Sequence, residues 1–293
     1  MSAPPSAPAQ TSEPTTLVQE RITNRLADFP WWGLFIALMA VFLLYSFLTD
    51  ATYKEIITYV IVGVRLTVTV TLVSFVLSTI IGLITAFSLM SNNVIARNLA
   101  TLYVQLIRGI PMLVLIFYTA LVIVPLMIGL ISSFGTWLAS MGVLAPDNFL
   151  SSLNVRDVNF LYRGIIALAI NYGAFSAEVF RAGIQSIEKG QLDASRALGL
   201  SWVQMMRYVV LPQAIRRILP PLGNDFISML KESSLVSVLG VGEITQLGRK
   251  YSASSFLYAE TWNVAAFLYL SLTLVLSMGV KYMEQRMEVS EDT

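Results

Sequence analysis

The stretch "GQLDASRALGLSWVQMMRYVVLP", Gly190 to Pro212, does not fit its surroundings. From Arg181 to Arg217 there are eight charged side chains, whereas Trp31–Thr49, Leu66–Ala96, Gly109–Pro146 and Thr261–Val280 carry none. Each uncharged run is long enough, at ~1.5 Å per helical residue, to cross a hydrocarbon layer of ~30 Å. A charge at the bilayer centre costs about 2.5–3.5 kcal/mol, so Gly190–Pro212 belongs in water or against another protein. The chain reads as an all-α, multi-spanning membrane protein with one organised polar segment.

Composition agrees. Of 293 residues 56% are hydrophobic and 13% charged, and the mean hydropathy is +0.69; a soluble domain carries roughly 25% charged residues. There is no Cys and no His, which removes disulfides, thiol nucleophiles, haem, most zinc sites and the commonest general base. A net charge of +1 gives no pull toward nucleic acid. No GxxxxGK[ST] phosphate cradle occurs: "GVGEITQLGRK" (Gly240–Lys250) has glycines but neither the lysine position nor the following hydroxyl. The chain is therefore expected to be no enzyme and to hold no metal or cofactor.

About six spans are predicted: Trp31–Leu48, Val64–Met90, Pro111–Ile131, Gly164–Arg181, an Arg217–Val241 segment interrupted by a bend at Pro220-Pro221, and Trp262–Tyr282, with a long outer loop at Ser132–Tyr162. The stretch "TYKEIITYVIVG" ahead of the second span is short and mixed enough to lie along the interface. The Pro-, Ser- and Thr-rich start lacks a basic head and apolar core, so residues 1–28 read as a disordered tail rather than a secretion signal. Residues 29–55 then hold an accessory helix, 56–285 the transport core with its polar loop at 184–212, and 286–293 a C-terminal tail. One set of loops holds twelve Lys and Arg against seven in the other, which puts both termini and Gly190–Pro212 in the cytoplasm.

The local chemistry of the opening stretch is well specified. Gly190 is able to break the preceding helix, leaving Asp193 in a first turn, where a carboxylate favours the helix N-terminus. "DASRAL" is a strong helix former, and Gly199 sits where a C′ glycine takes positive φ. Ser201 and Gln204 have capping-box spacing, and Pro212 marks where the second helix must end or bend. An ordinary ordered loop and a docking surface both fit these residues.

The spacing Asp193-Ala194-Ser195, three residues, Gly199, nine residues, Val209, one residue, Leu211-Pro212 resembles the "EAA" loop of ABC importer permeases. "LIRGIPMLV" (Leu106–Val114), "NYGAFSAEVFRAGIQSIEKGQ" (Asn171–Gln191) and "KESSLVSVLGVGEI" (Lys231–Ile244) resemble the polar amino-acid branch of that family. The similarity spans about residues 60–285. It implies a type I importer permease of the bacterial inner membrane. Implied partners are a second permease subunit, identical or similar, two cytoplasmic ATPase subunits that use ATP and Mg, and an extracytoplasmic protein that delivers an amino acid. By the same resemblance the loop is a coupling helix, with Gly190, Asp193, Ala194, Ser195, Ala197 and Gly199 docking on the ATPase.

Polar groups inside spans are candidates for a substrate pathway. Asn171, Phe175 and Glu178 share a helical face, with Tyr172 beside them; an ion pair between Glu178 and a neighbouring helix is the bland reading. Thr67, Thr71 and Ser74, with Ser78, form one stripe that either lines a pathway or bonds backbone. Arg108 and Gly109 open the third span at a helix break, and the resemblance places them near the pathway's cytoplasmic end. Lys231, Glu232 and Ser233, with Asp225, put charge at membrane depth beside an irregular backbone, as a gate or as an ion-pair ladder. A secondary transporter or channel acting alone is the competing class, but no convincing internal repeat is visible.

Overall fold

The computed structural model describes residues 31–288, so the expected tail at 1–28 lies outside the described residues. The chain falls into two compact units, 1–50 and 51–293. The first is represented by α1, Trp31–Thr49. It is apolar on all faces, and Ser46 and Thr49 return their hydroxyls to Phe42 and Tyr45 carbonyls one turn back, as suits hydroxyls in an apolar setting.

The second unit is a helical bundle. After α2 (Ala51–Val60) and one turn residue comes α3 (Val62–Leu89), then α4 (Val94–Gly109), capped by Asn93. A long helix follows as α5 (Met112–Tyr118), a π segment Thr119–Ile123 and α6 (Val124–Ser140). The remaining elements are α7 (Phe149–Ser152), a 3₁₀ turn Val155–Asp157, α8 (Phe160–Gln185), α9 (Lys189–Ala197) and α10 (Trp202–Met205). A second π segment, Met206–Val210, leads to α11 (Leu211–Glu232), a 3₁₀ segment Ser233–Leu239, α12 (Ile244–Ser255) and α13 (Tyr258–Glu288).

Among the described residues four stretches are long and apolar enough to cross a membrane: Ala51–Leu89, Met112–Ser140, Phe160–Gln185 and Tyr258–Arg286, with Gly33–Thr49 a shorter apolar helix. The fifth predicted span differs. Its helix α11 is too polar for that class and runs through Pro220 and Pro221 without interruption; the break falls instead at Ser233, where the backbone tightens to 3₁₀ and ends at Gly240 with φ +83°. Most of the long loop expected at 132–162 is also ordered. α6 continues to Ser140, and Asn148 reaches back to the Gly135 carbonyl at 3.2 Å.

Helix directions follow from the close approaches. Ser74 on α3 donates to the Ile165 carbonyl of α8 at 3.3 Å, and a Cβ on Gly82 would meet Ser176 Cβ at 2.6 Å. Higher residues on one helix meet higher residues on the other, so α3 and α8 are parallel. α11 is antiparallel to α8: Gly183 lies against Ile218 and Gly164 against Val236 beyond its end. α13 runs back alongside it, with Gly223 against Val280. Consequently the ends at Leu89, Gln185 and Glu288 lie on one side of the bundle. The main apolar core, Val70, Ile116, Leu168 and Val236 among others, joins α3, α5, α8 and the 3₁₀ segment.

Each π segment is followed, one residue later, by a proline. The amides of Val124 and Leu211 reach five residues back, to Thr119 and Met206, and Pro125 and Pro212 follow. A proline has no N–H to give, and its ring collides with the carbonyl four residues earlier. Widening one turn relieves this while the helix continues. Of the two outcomes expected from sequence at Pro212, an end or a bend, the helix does not end but passes through a widened turn.

Candidate functional site

The polar segment is a helical hairpin held to the bundle from below. Ile187, Met205, Val210, Ala214 and Ile218 pack with Phe180 of α8 and Ala86 of α3. Arg217 donates to the Ser186 carbonyl at 2.6 Å, and Gln213 on α11 donates to the Gln191 side chain of α9 at 2.5 Å. The chain leaves α9 through a Schellman turn. Gly199 N–H donates to Arg196 O (2.9 Å) and Leu200 N–H to Ser195 O (3.2 Å), with Gly199 at φ +76°. That is the C′ role expected of this glycine. Ser201 and Gln204 form the expected capping box.

The start of α9 differs from the expectation. The helix begins at Lys189 with Glu188 at the N-cap, because buried Ile187 pins the chain just ahead of it. Gly190 is thus inside the helix, and Asp193 lies past the first turn, paired with Arg196 at 2.9 Å. Ser195 is turned inward, 3% exposed, with its hydroxyl on the Gln191 carbonyl at 2.6 Å. The outward face is made of Gly190, Asp193, Ala194 and Ala197, all exposed. Beside it stand Leu198, Trp202 and Val203, exposed by 81%, 65% and 66%. Sequence reasoning passed over these three; the signal was large apolar side chains inside the charged loop.

One chain of contacts links three elements, α4, α8 and α11. The Arg108 guanidinium lies 5.8 Å from the Phe175 ring centroid. That ring is 6.0 Å from the ring of Tyr172, and the Tyr172 hydroxyl donates to Glu232 at 2.9 Å. Asp225 acts electrostatically on the same Tyr172 and Glu232, and one of its oxygens is buried without a hydrogen-bond partner. Gly109 leaves open space beside Arg108. Lys231 faces outward and Ser233 inward, bonding the Leu230 carbonyl at 2.7 Å. Lys231 and Glu232 therefore do not form a ladder; Glu232 is held by a tyrosine.

Other predicted residues take packing positions. Glu178 pairs with Arg181 of its own helix at 2.5 Å, not with a neighbouring helix. Asn171 is buried and donates to the Ala167 carbonyl at 2.8 Å, its oxygen unpartnered. Thr67, Thr71, Ser74 and Ser78 are fully buried. Thr71 and Ser78 bond carbonyls of their own helix and Ser74 that of Ile165, while Thr67 accepts from Ile244 N–H at 3.4 Å. Small side chains here allow the close α3–α8 approach.

A further polar centre was not anticipated. Glu243, 1% exposed, caps α12 by accepting from Gln246 N–H at 2.7 Å and receives the Tyr269 hydroxyl of α13 at 2.5 Å. A Cβ on Gly63 would meet Ile244 N at 2.6 Å, so α3 supports the same turn. The cap spacing was visible in "GEITQ"; the partner on α13 was not.

Comparison with known proteins agrees with this architecture. Glutamine transport system permease protein GlnP of Escherichia coli K12 is 33% identical over 227 residues, 78% of this chain and 92% of that protein. Arginine transport system permease protein ArgU of Corynebacterium glutamicum is 33% identical over 263 residues, 87% of this chain and 78% of its own. A crystal structure of an amino acid ABC transporter with histidines superposes with TM-score 0.64 at 32% identity, covering 82% of this chain and 98% of that one. The MetNI methionine ABC transporter shares the fold at 19% identity, with TM-score 0.57. Residues 78–289 match the family described as the binding-protein-dependent transport system inner membrane component, and the chain belongs to that family.

Proposed function

We propose that this chain is the permease subunit of an ATP-driven importer for polar amino acids, coupled to its ATPase through α9. The observation that carries the reading is the anchored hairpin. Its small-residue face points outward, Gly199 sets the exit turn, and an apolar cluster ties it to α3, α8 and α11. Force applied at α9 then reaches the helices that carry Tyr172 and Glu232. The chain holds no phosphate cradle in its sequence, so ATP and Mg are used by the partner.

Both termini and the hairpin lie in the cytoplasm. The parallel run of α3, α8 and α13 supports this, since it brings their ends to the side richer in Lys and Arg. A second permease subunit completes the pathway, and an extracytoplasmic binding protein delivers the amino acid. Arg108, Phe175, Tyr172, Asp225 and Glu232 form the polar face past which it moves. Arg108 suits an α-carboxylate and the two acids an ammonium.

The test is reconstitution in lipid with a cognate ATPase and binding protein. Amino-acid-loaded binding protein is expected to stimulate ATP hydrolysis and uptake together. Uptake that persists without any ATPase would instead identify a transporter acting alone.

A further inference from the structure

The cleft between α2, the start of α3 and α12 is not used by the transport reading. It has a volume of about 680 Å³ and is lined by Lys54, Glu55, Thr58, Tyr59, Val62 and Leu247. That volume lies within the ~300–1,000 Å³ of small-molecule sites. Its position is at a boundary. The uncharged run of α3 begins only at Leu66, Arg65 stands just before it, and α12 contributes Arg249 and Lys250 at the same end. The Tyr59 ring packs against Tyr251 of α12, with centroids 5.5 Å apart. Tyrosines pairing an apolar body with a polar tip favour such interfaces.

We propose that this cleft binds a membrane phospholipid whose headgroup carries both a phosphate and a primary ammonium, the chemistry of phosphatidylethanolamine. Lys54 and Glu55 are consecutive on a helix, so their side chains diverge and flank the cleft rather than face each other. The ammonium of Lys54 takes the phosphate. The Glu55 carboxylate, which also lies beside the Tyr251 hydroxyl, takes the lipid ammonium. Val62 and Leu247 form the apolar base along which an acyl chain descends. A purely anionic headgroup satisfies Lys54 but offers the Glu55 carboxylate no ammonium to pair with. A trimethylated headgroup offers Glu55 no hydrogen-bond donor.

The experiment uses the full chain in mild detergent and native mass spectrometry, with matched phosphatidylethanolamine, phosphatidylcholine and phosphatidylglycerol added at equal concentration. Retention of phosphatidylethanolamine is expected to exceed the other two about tenfold, which corresponds to roughly 1.4 kcal/mol. Glu55→Gln, which keeps an acceptor for Tyr251, abolishes the preference. Lys54→Gln lowers retention of phosphatidylethanolamine and phosphatidylglycerol alike. Equal retention of all three lipids by the unaltered chain overturns the proposal, as does a cleft that retains none because protein covers it. So does a preference that Arg97→Gln, remote on α4, removes as effectively as Glu55→Gln.

Discussion

The Tyr172 hydroxyl on α8 donates to the Glu232 carboxylate at the end of α11, at 2.9 Å. This bond ties an unbroken apolar helix to the residue at which its neighbour changes to 3₁₀. Removing the donor from a hydrogen bond to a charged group costs about 1.5–3 kcal/mol. Tyr172→Phe is expected to lower uptake several-fold while leaving the complex assembled. Glu178→Gln removes only a half-exposed pair within one helix, and uptake is expected to stay near its original rate. Paired uptake assays in proteoliposomes check the contrast.

Gly199 occupies the left-handed region at φ +76°, where an L side chain costs about 1–2 kcal/mol. Asparagine tolerates that conformation and a β-branched residue does not. ATPase stimulation is therefore expected to fall in the order Gly, Asn, Ala, Val at position 199. An unordered series, measured with the reconstituted complex, contradicts a role for the turn.

Asp193 is exposed and its pair with Arg196 lies on the surface. Asp193→Lys is expected to leave the melting temperature of the permease alone unchanged and to abolish ATPase binding in a pull-down. Ser195→Ala, on the inward face, is expected to bind the ATPase normally.

Gly183 lies so close to Ile218 that a Cβ there would overlap its side chain. Overpacking of this kind costs about 1–3 kcal/mol. Gly183→Ala is expected to be destabilising alone and less so in an Ile218→Ala background. A double-mutant cycle by thermal melting checks the coupling, which for residues in contact is about 0.5–3 kcal/mol.

Arg163 is 8% exposed, and its guanidinium donates to the carbonyls of Val158 (2.8 Å), Val155 (2.5 Å) and Ala120 (3.3 Å). Ala120 lies in the first π segment, where the widened turn exposes a carbonyl. Arg163→Lys keeps the charge but loses the planar fork. It is expected to lower the melting temperature nearly as much as Arg163→Ala.

Sequence alone determined a great deal here, because its strongest signals are local. Uncharged length marks a span wherever the partners lie. The Gly199 turn and the Ser201–Gln204 box depend on a few consecutive residues, and the spaced pattern from Asp193 to Pro212 is a property of one segment. What only the tertiary structure decided concerns residues far apart in the chain. Nothing near Ser195 says that it faces inward; that follows from how Gln191 meets Gln213 and how Ile187 seats beneath α9. The hydroxyl stripe on α3 reads equally as a pathway or as packing until α8 closes on it through Ser74 and Gly82. Glu232 needed a partner sixty residues away, and Glu243 one on α13. A polar group in an apolar bundle is fixed by whichever distant group can satisfy it, and only packing chooses among the candidates.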